Sequence, residues 1–99
     1  MRREMLINLR DAIRLAEHEL GVSELNDAEL SVYYDILKIT GDGDGVFSSY
    51  ILRQQNDTKS LPHATYHRVL KSLMEVGIIG HFEERERNVY VLRDEFKPS

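Results

Sequence analysis

The stretch PHATYHRVLKSLMEVGII, residues 62–79, divides into two chemically different faces when it is wound as a helix. At about 100° per residue, one side is apolar and is expected to be buried. Pro62 suits the first turn of a helix and Gly77 suits its end, so the sequence predicts a helix over 62–76. The apolar side consists of Tyr66, Val69, Leu70, Leu73 and Val76. The opposite side is cationic and hydrogen-bonding, and consists of His63, Ala64, His67, Arg68 and Lys71, with Thr65 at the boundary.

The charge of this region differs from that of the whole chain. Residues 58–74 contain no aspartate or glutamate, although the formal net charge of the 99-residue protein is -4. The same segment carries Lys59, Arg68 and Lys71. A helix with such a face fits the major groove of B-form DNA, where arginine and lysine contact phosphates or guanine edges. The pattern therefore favours a nucleic-acid interface, although a cationic face can also meet the acidic remainder of the protein.

Two further helices are predicted upstream. Asn26 and Glu29 have the spacing of a capping box, and the helix that follows over 27–39 is apolar on most sides, which is typical of a central, buried helix. The helix predicted over 3–20 carries a heptad-like stripe, which could pack on the domain's own core or form a dimer contact. The stripe consists of Leu6, Leu9, Ile13, Ala16 and Leu20.

The remaining segments predict short elements and turns. GDGDG, residues 41–45, is the clearest turn, and VF after it could add a short strand. A short helix is predicted over 49–55 with Ile51 and Leu52 inward, followed by a loop, NDTKSL, over 56–61. IIGHFEE and NVYVLRD are strand-like, with RER between them as a hairpin tip. The expected fold class is α+β, mostly helical with a C-terminal hairpin.

Three of these segments together carry a resemblance: LNDAELSVYYDILKIT, ATYHRVLKSLMEVGIIGH and FEERERNVYVL. Over about residues 25–93 the chain resembles a winged helix-turn-helix DNA-binding domain, most similar to the MarR-like transcriptional regulators. The resemblance implies a central helix, a recognition helix and a wing within one domain of residues 1–99, with the winged-helix core at 26–93. It also implies a sequence-specific regulator that binds double-stranded DNA as a homodimer.

The resemblance assigns site residues position by position. The groove-facing residues would be His63, Ala64, Thr65, His67, Arg68 and Lys71, and the wing residues would be Arg85 and Arg87, while Lys59 is a further candidate phosphate contact. Three departures stand out. The segment 56–61 is longer than the usual turn of three or four residues, and glutamates surround the wing arginines. The third is that MarR-like proteins usually dimerise through helices at both ends, whereas only EFKPS follows this hairpin, so dimerisation is expected to fall largely on the helix over 3–20.

Other functional classes find little support in the sequence. Without cysteine or a catalytic motif, the chain is expected to be non-enzymatic, with no cofactor, and the lack of a long apolar run and of a signal-peptide pattern predicts a cytoplasmic protein with no membrane partner. His63 and His67 have the i, i+4 spacing of zinc ligands, but no third ligand is placed by sequence, so no metal is expected. GDGDG fails as a calcium loop, because Phe47 stands where glycine is needed. The alternative to DNA binding is a winged helix that binds another protein.

Overall fold

A computed structural model describes residues 2–41, 43–83 and 87–97. The elements follow the order α1 Arg2–Leu20, α2 Asp27–Thr40, β1 Val46–Ser48, α3 Ser49–Arg53, α4 Asn56–Lys59, α5 His63–Glu75, β2 Ile79–His81, β3 Val89–Leu92 and a final 3-10 turn, Asp94–Phe96. The predicted α+β class is confirmed. The loop predicted over 56–61 is wrong, because its first four residues form the single helical turn α4. Among the described helices, none is both long and apolar enough to cross a membrane.

Helix α2 begins at the predicted capping box and lies at the centre of the domain. The Asn26 side chain accepts a hydrogen bond from the Glu29 amide at 2.8 Å, and the Glu29 carboxylate accepts one from the Asn26 amide at 2.9 Å. Val32, Tyr33 and Ile36 are buried in the core. Local capping therefore fixes where this helix starts, and burial of its apolar side fixes where it packs.

The three strands form one antiparallel sheet in the order β1-β3-β2. Phe47 of β1 pairs with Tyr90 of β3, and Ile79 of β2 pairs with Leu92 of β3. Gly45 enters β1 with φ of 85°, and a Cβ atom there would lie 2.9 Å from the Leu92 carbonyl oxygen. Glycine at this position is therefore required both by the backbone conformation and by the close approach of β3. Of the predicted hairpin tip, residues 85 and 86 lie outside the described part of the chain.

Helix α5 buries four of its five predicted core residues, namely Tyr66, Val69, Leu70 and Leu73. The prediction that the fifth residue, Val76, is buried is wrong, because its side chain is 57% exposed. The helix ends at Glu75, and Gly77 then adopts φ of 83°, which turns the chain so that Ile78 enters the core instead. The prediction for α3 is also half wrong, because this five-residue helix buries Leu52 but leaves Ile51 exposed.

Helix α1 lies largely outside the core. None of its 19 residues is buried, and Leu6, Leu9 and Ile13 are between 51% and 68% exposed. The end of the helix is attached, because Leu20 packs against the core and the Tyr34 hydroxyl donates a hydrogen bond to Glu17 at 2.7 Å. The expectation that the stripe could pack on the domain's own core is therefore wrong for all of its residues except Leu20.

Candidate nucleic-acid interface

The outward face of α5 contains the residues that the sequence assigned to a DNA groove. His63, Ala64, His67, Arg68 and Lys71 are exposed, and Thr65 is half-buried. Their exposure follows from the period of the helix, because the opposite side is held in the core by Tyr66 and its apolar neighbours. We refer to these six residues as the α5 face.

The other candidate residues lie outside helix α5. Lys59 is exposed at the end of α4, and Arg87 is exposed in the turn that leads into β3. Arg85 lies outside the described residues. Glu75, at the last position of α5, is exposed and follows Lys71 by one helical turn. The cationic character of the α5 face therefore ends at Lys71.

The cations of the α5 face are not neutralised by ion pairs within the described part of the chain. Its two ion pairs within 4.0 Å join Lys38 to Asp35 and Lys97 to Asp94. Neither pair involves Arg68 or Lys71. Their charges are therefore available to an anionic partner such as a phosphate group.

One edge of the α5 face borders acidic residues. An open groove runs between the start of α2 and α5, and Asp27, Glu29, Thr65 and Arg68 are among its lining residues. The Ser72 hydroxyl donates a hydrogen bond to the Glu29 carboxylate across this groove. Because a DNA backbone would be repelled by these carboxylates, we expect anions to approach the face from the side opposite the groove.

His63 and His67 lie on that opposite side and contact each other. Their Nε2 atoms are 3.0 Å apart, and the rings meet edge to face with centroids separated by 4.2 Å. One ring must donate and the other must accept for this contact to be a hydrogen bond. No group of three or more metal-ligating side chains occurs among residues 2–41, 43–83 and 87–97. Within these residues, the pair has hydrogen-bonding capacity but not the ligand set of a structural zinc site.

A buried aspartate attaches α4 to the central helix. Asp35 of α2 is 0% exposed, and its Oδ2 atom accepts hydrogen bonds from the Thr58 amide at 3.0 Å and the Thr58 hydroxyl at 2.7 Å. Its Oδ1 atom has no hydrogen-bond partner among the described residues, although the Lys38 ammonium lies 3.7 Å away. The carboxylate thus supplies the acceptor that the free amides of a one-turn helix require. This interaction sets the position of the chain just before α5.

An arginine holds the turn between α4 and α5. The Arg53 guanidinium donates to the Thr58 carbonyl and to the Leu61 carbonyl, both at 2.6 Å, and lies 4.6 Å from the centroid of the Tyr66 ring. The Tyr66 hydroxyl in turn shares a hydrogen bond of 2.6 Å with the Ser49 hydroxyl. Burial raises the pKa of Tyr66. These contacts join α3, the turn and α5 into one unit.

Sequence reasoning missed the roles of Asp35, Arg53 and Thr58. A signal for Asp35 was present, because a single carboxylate within the apolar run VYYDILKI must find a buried partner if the helix is central. No comparable signal marked Arg53, whose two acceptors are carbonyl groups of the backbone. The identity of a residue does not indicate whether its backbone carbonyl group will accept a hydrogen bond from a distant side chain.

No family model, curated protein or solved structure matches this chain.

Proposed function

We propose that the protein is a cytoplasmic, sequence-specific DNA-binding regulator of transcription that inserts α5 into the major groove. The observation that carries the proposal is the α5 face itself. It presents Arg68 and Lys71 without ion-pair partners among the described residues, on a helix whose other side is fixed in the core. A rigid helix of this kind can enter the major groove of DNA, where its exposed cations and hydrogen-bonding side chains would contact phosphates and base edges.

The arrangement of elements supports a winged helix-turn-helix. After α2 come a strand, two short helices, the longer α5 and an antiparallel hairpin. The turn between α4 and α5 consists of residues 60–62, which agrees with the three or four residues of helix-turn-helix units. This turn is shorter than the sequence suggested, because α4 takes up most of the segment predicted to be a loop. The similarity to MarR-like regulators rests on the sequence resemblance.

The proposed roles follow from position on the helix. Arg68 would contact a guanine edge or a phosphate, and Lys71 and Lys59 would contact phosphates. His63 and His67, together with Thr65 near the helix start, would contact bases or phosphates. In the wing, Arg87 is a candidate phosphate contact, and Arg85 remains a prediction from the sequence.

A second candidate function, binding of another protein without nucleic acid, is favoured by one observation. Asp27 and Glu29 border the groove beside Arg68, so that this edge presents both signs of charge. Mixed charge of this kind suits a protein surface better than a phosphate backbone.

Selection from a random pool of double-stranded DNA tests the two candidates together. We expect a preferred sequence to be enriched, and we expect its binding to weaken steeply with salt because cations release counterions from DNA. Failure to retain any pool member at low salt would contradict the DNA proposal and favour the protein-binding candidate.

A further inference from the structure

The apolar stripe of α1 is a surface feature that the DNA proposal does not use. Its residues are Leu6, Leu9, Ile13, Ala16 and Leu20, and all except Leu20 are exposed. A helix of 19 residues is about 28 Å long, and none of its residues is buried in the domain. Contiguous apolar surface of this kind marks an interaction site.

We propose that α1 pairs antiparallel with α1 of a second copy of the chain. The first argument is the charge distribution along the helix. Residues 2–10 carry three arginines and one glutamate, whereas residues 11–20 carry Asp11, Glu17, Glu19 and one arginine. The formal charge is thus positive in the first half and negative in the second. Antiparallel pairing places each half against its opposite, and parallel pairing places like charges together.

The second argument is the spacing of the stripe. The intervals between Leu6, Leu9, Ile13 and Ala16 are three, four and three residues, which read the same in both directions. Two antiparallel copies centred on residue 11 therefore bring Leu9 against Ile13 and Leu6 against Ala16. The large Leu6 side chain then meets the small Ala16, so the combined volume of the two side chains in that layer fits between the helices.

The same register places charged side chains beside the apolar seam. Arg3 of one helix then lies near Glu17 and Glu19 of the second copy, and the two-fold symmetry repeats this contact. Arg10 approaches Arg10 of the second copy near the axis, so one like-charged contact opposes two unlike ones. A second copy therefore matches the stripe in apolar spacing and in overall charge. This inference does not rest on DNA binding, so either proposal can be contradicted by experiment without affecting the other.

Sedimentation equilibrium tests the interface. We expect the wild type to dimerise at tens of micromolar, and we expect Leu9→Glu with Ile13→Glu to raise the dissociation constant by more than about 100-fold, because each dimer would then place four carboxylates in its apolar seam. The matched control is Ile7→Glu with Leu15→Glu, which makes the same change at two exposed apolar positions on the far side of α1. A monomeric wild type, or equal weakening by the control pair, would overturn the proposal and leave the stripe to a different partner.

Cysteine crosslinking tests the orientation, and it uses milder substitutions than the charged variants. The protein contains no cysteine, so each introduced thiol is unique. In the antiparallel register, residue 6 lies about 15 Å along the axis from residue 6 of the second copy, too far for a disulfide. We therefore expect Leu6→Cys and Ala16→Cys proteins to crosslink when mixed and oxidised, and neither to crosslink alone. Crosslinking of either variant alone, or no crosslink in the mixture, would overturn the antiparallel arrangement.

Discussion

The Nε2 atoms of His63 and His67 lie 3.0 Å apart on the exposed side of α5. The two residues are one helical turn apart, so their contact follows from the spacing of side chains on a helix. The His67 ring also lies 5.4 Å from the ring of Tyr66, which belongs to the core side of the same helix. This pair supplies the two imidazole rings of the α5 face.

We first predict that DNA affinity rises as the pH falls from 8 to 6. A phosphate beside an imidazole ring stabilises its protonated form, so a histidine that faces the DNA backbone favours binding at lower pH. The variant His63→Gln with His67→Gln should lose most of this dependence. Fluorescence anisotropy with labelled DNA at constant ionic strength measures the dissociation constant at each pH.

The control for this experiment is His18→Gln, which removes an exposed histidine of α1 and should leave the pH dependence unchanged. An identical pH profile for the double variant and the wild type would show that His63 and His67 do not face the DNA.

The second prediction concerns salt dependence. Replacing Lys71 or Lys59 with alanine should reduce the slope of log affinity against log salt by about 0.9 for each phosphate that the lysine neutralises. Arg14→Ala, on α1, is the matched control and should leave the slope unchanged. Titrations between 50 and 200 mM salt, the range over which the effect is normally large, provide the slopes. Slopes equal to that of the wild type would exclude phosphate contacts by these lysines.

The third prediction distinguishes recognition of a base by Arg68 from electrostatic attraction between Arg68 and a phosphate. Arg68→Ala should cost roughly 1–3 kcal/mol of binding free energy on the preferred sequence, and it should relax the base preference at one position, if Arg68 reads a guanine. Repeating the DNA selection with the variant measures this preference. An unchanged preference with a lower salt slope would instead assign Arg68 to a phosphate.

The fourth prediction concerns the buried Asp35. Asp35→Ala removes the acceptor of the Thr58 amide and hydroxyl and leaves both without a partner, so we expect the free energy of unfolding to fall by about 3 kcal/mol. Asp35→Asn keeps one acceptor oxygen, so its free energy of unfolding should lie between that of Asp35→Ala and that of the wild type. Urea denaturation followed by circular dichroism measures both. Glu24→Ala, an exposed acid, should change stability by less than about 0.5 kcal/mol.

The fifth prediction concerns alkaline pH. Tyr33 is 1% exposed, its hydroxyl donates to the Phe96 carbonyl at 2.6 Å, and burial raises the pKa of Tyr33 to about 12. Because the neutral phenol is favoured in the folded state, its contribution is fully present below about pH 10 and is lost as the pH rises to 12. Two pKa units correspond to about 2.7 kcal/mol, so the free energy of unfolding should fall by roughly 2–3 kcal/mol from this residue.

Urea denaturation at pH 8, 10 and 11.5 tests this dependence. Tyr33→Phe should be less stable than the wild type at pH 8 by about 1 kcal/mol, because it loses one hydrogen bond, and should show a shallower decline at high pH. Tyr50→Phe is the control, since Tyr50 is 73% exposed. Parallel declines for Tyr33→Phe and the wild type would show that another group governs alkaline unfolding.

Local spacing along the chain was sufficient to predict much of this protein. The capping box at Asn26 and Glu29 and the two faces of α5 depend on residues three or four positions apart, and an isolated stretch of sequence already contains these relationships. The α+β class and the antiparallel hairpin follow from periodicity and from Gly77 at the end of α5. The outward position of five of the six α5 face residues was predictable for the same reason, with Thr65 at the boundary.

Contacts between distant segments settled the remaining features. Asp35 and Thr58 are 23 residues apart, and their hydrogen bonds accompany the helical turn α4, which the sequence had suggested was a loop. The exposure of α1 is likewise a result of packing, because an apolar stripe has the same spacing whether it meets its own core or a second copy. Hydrophobic burial and hydrogen bonding are satisfied over the whole fold, so a residue's partner depends on which segments come together in space. The local sequence pattern does not contain that information.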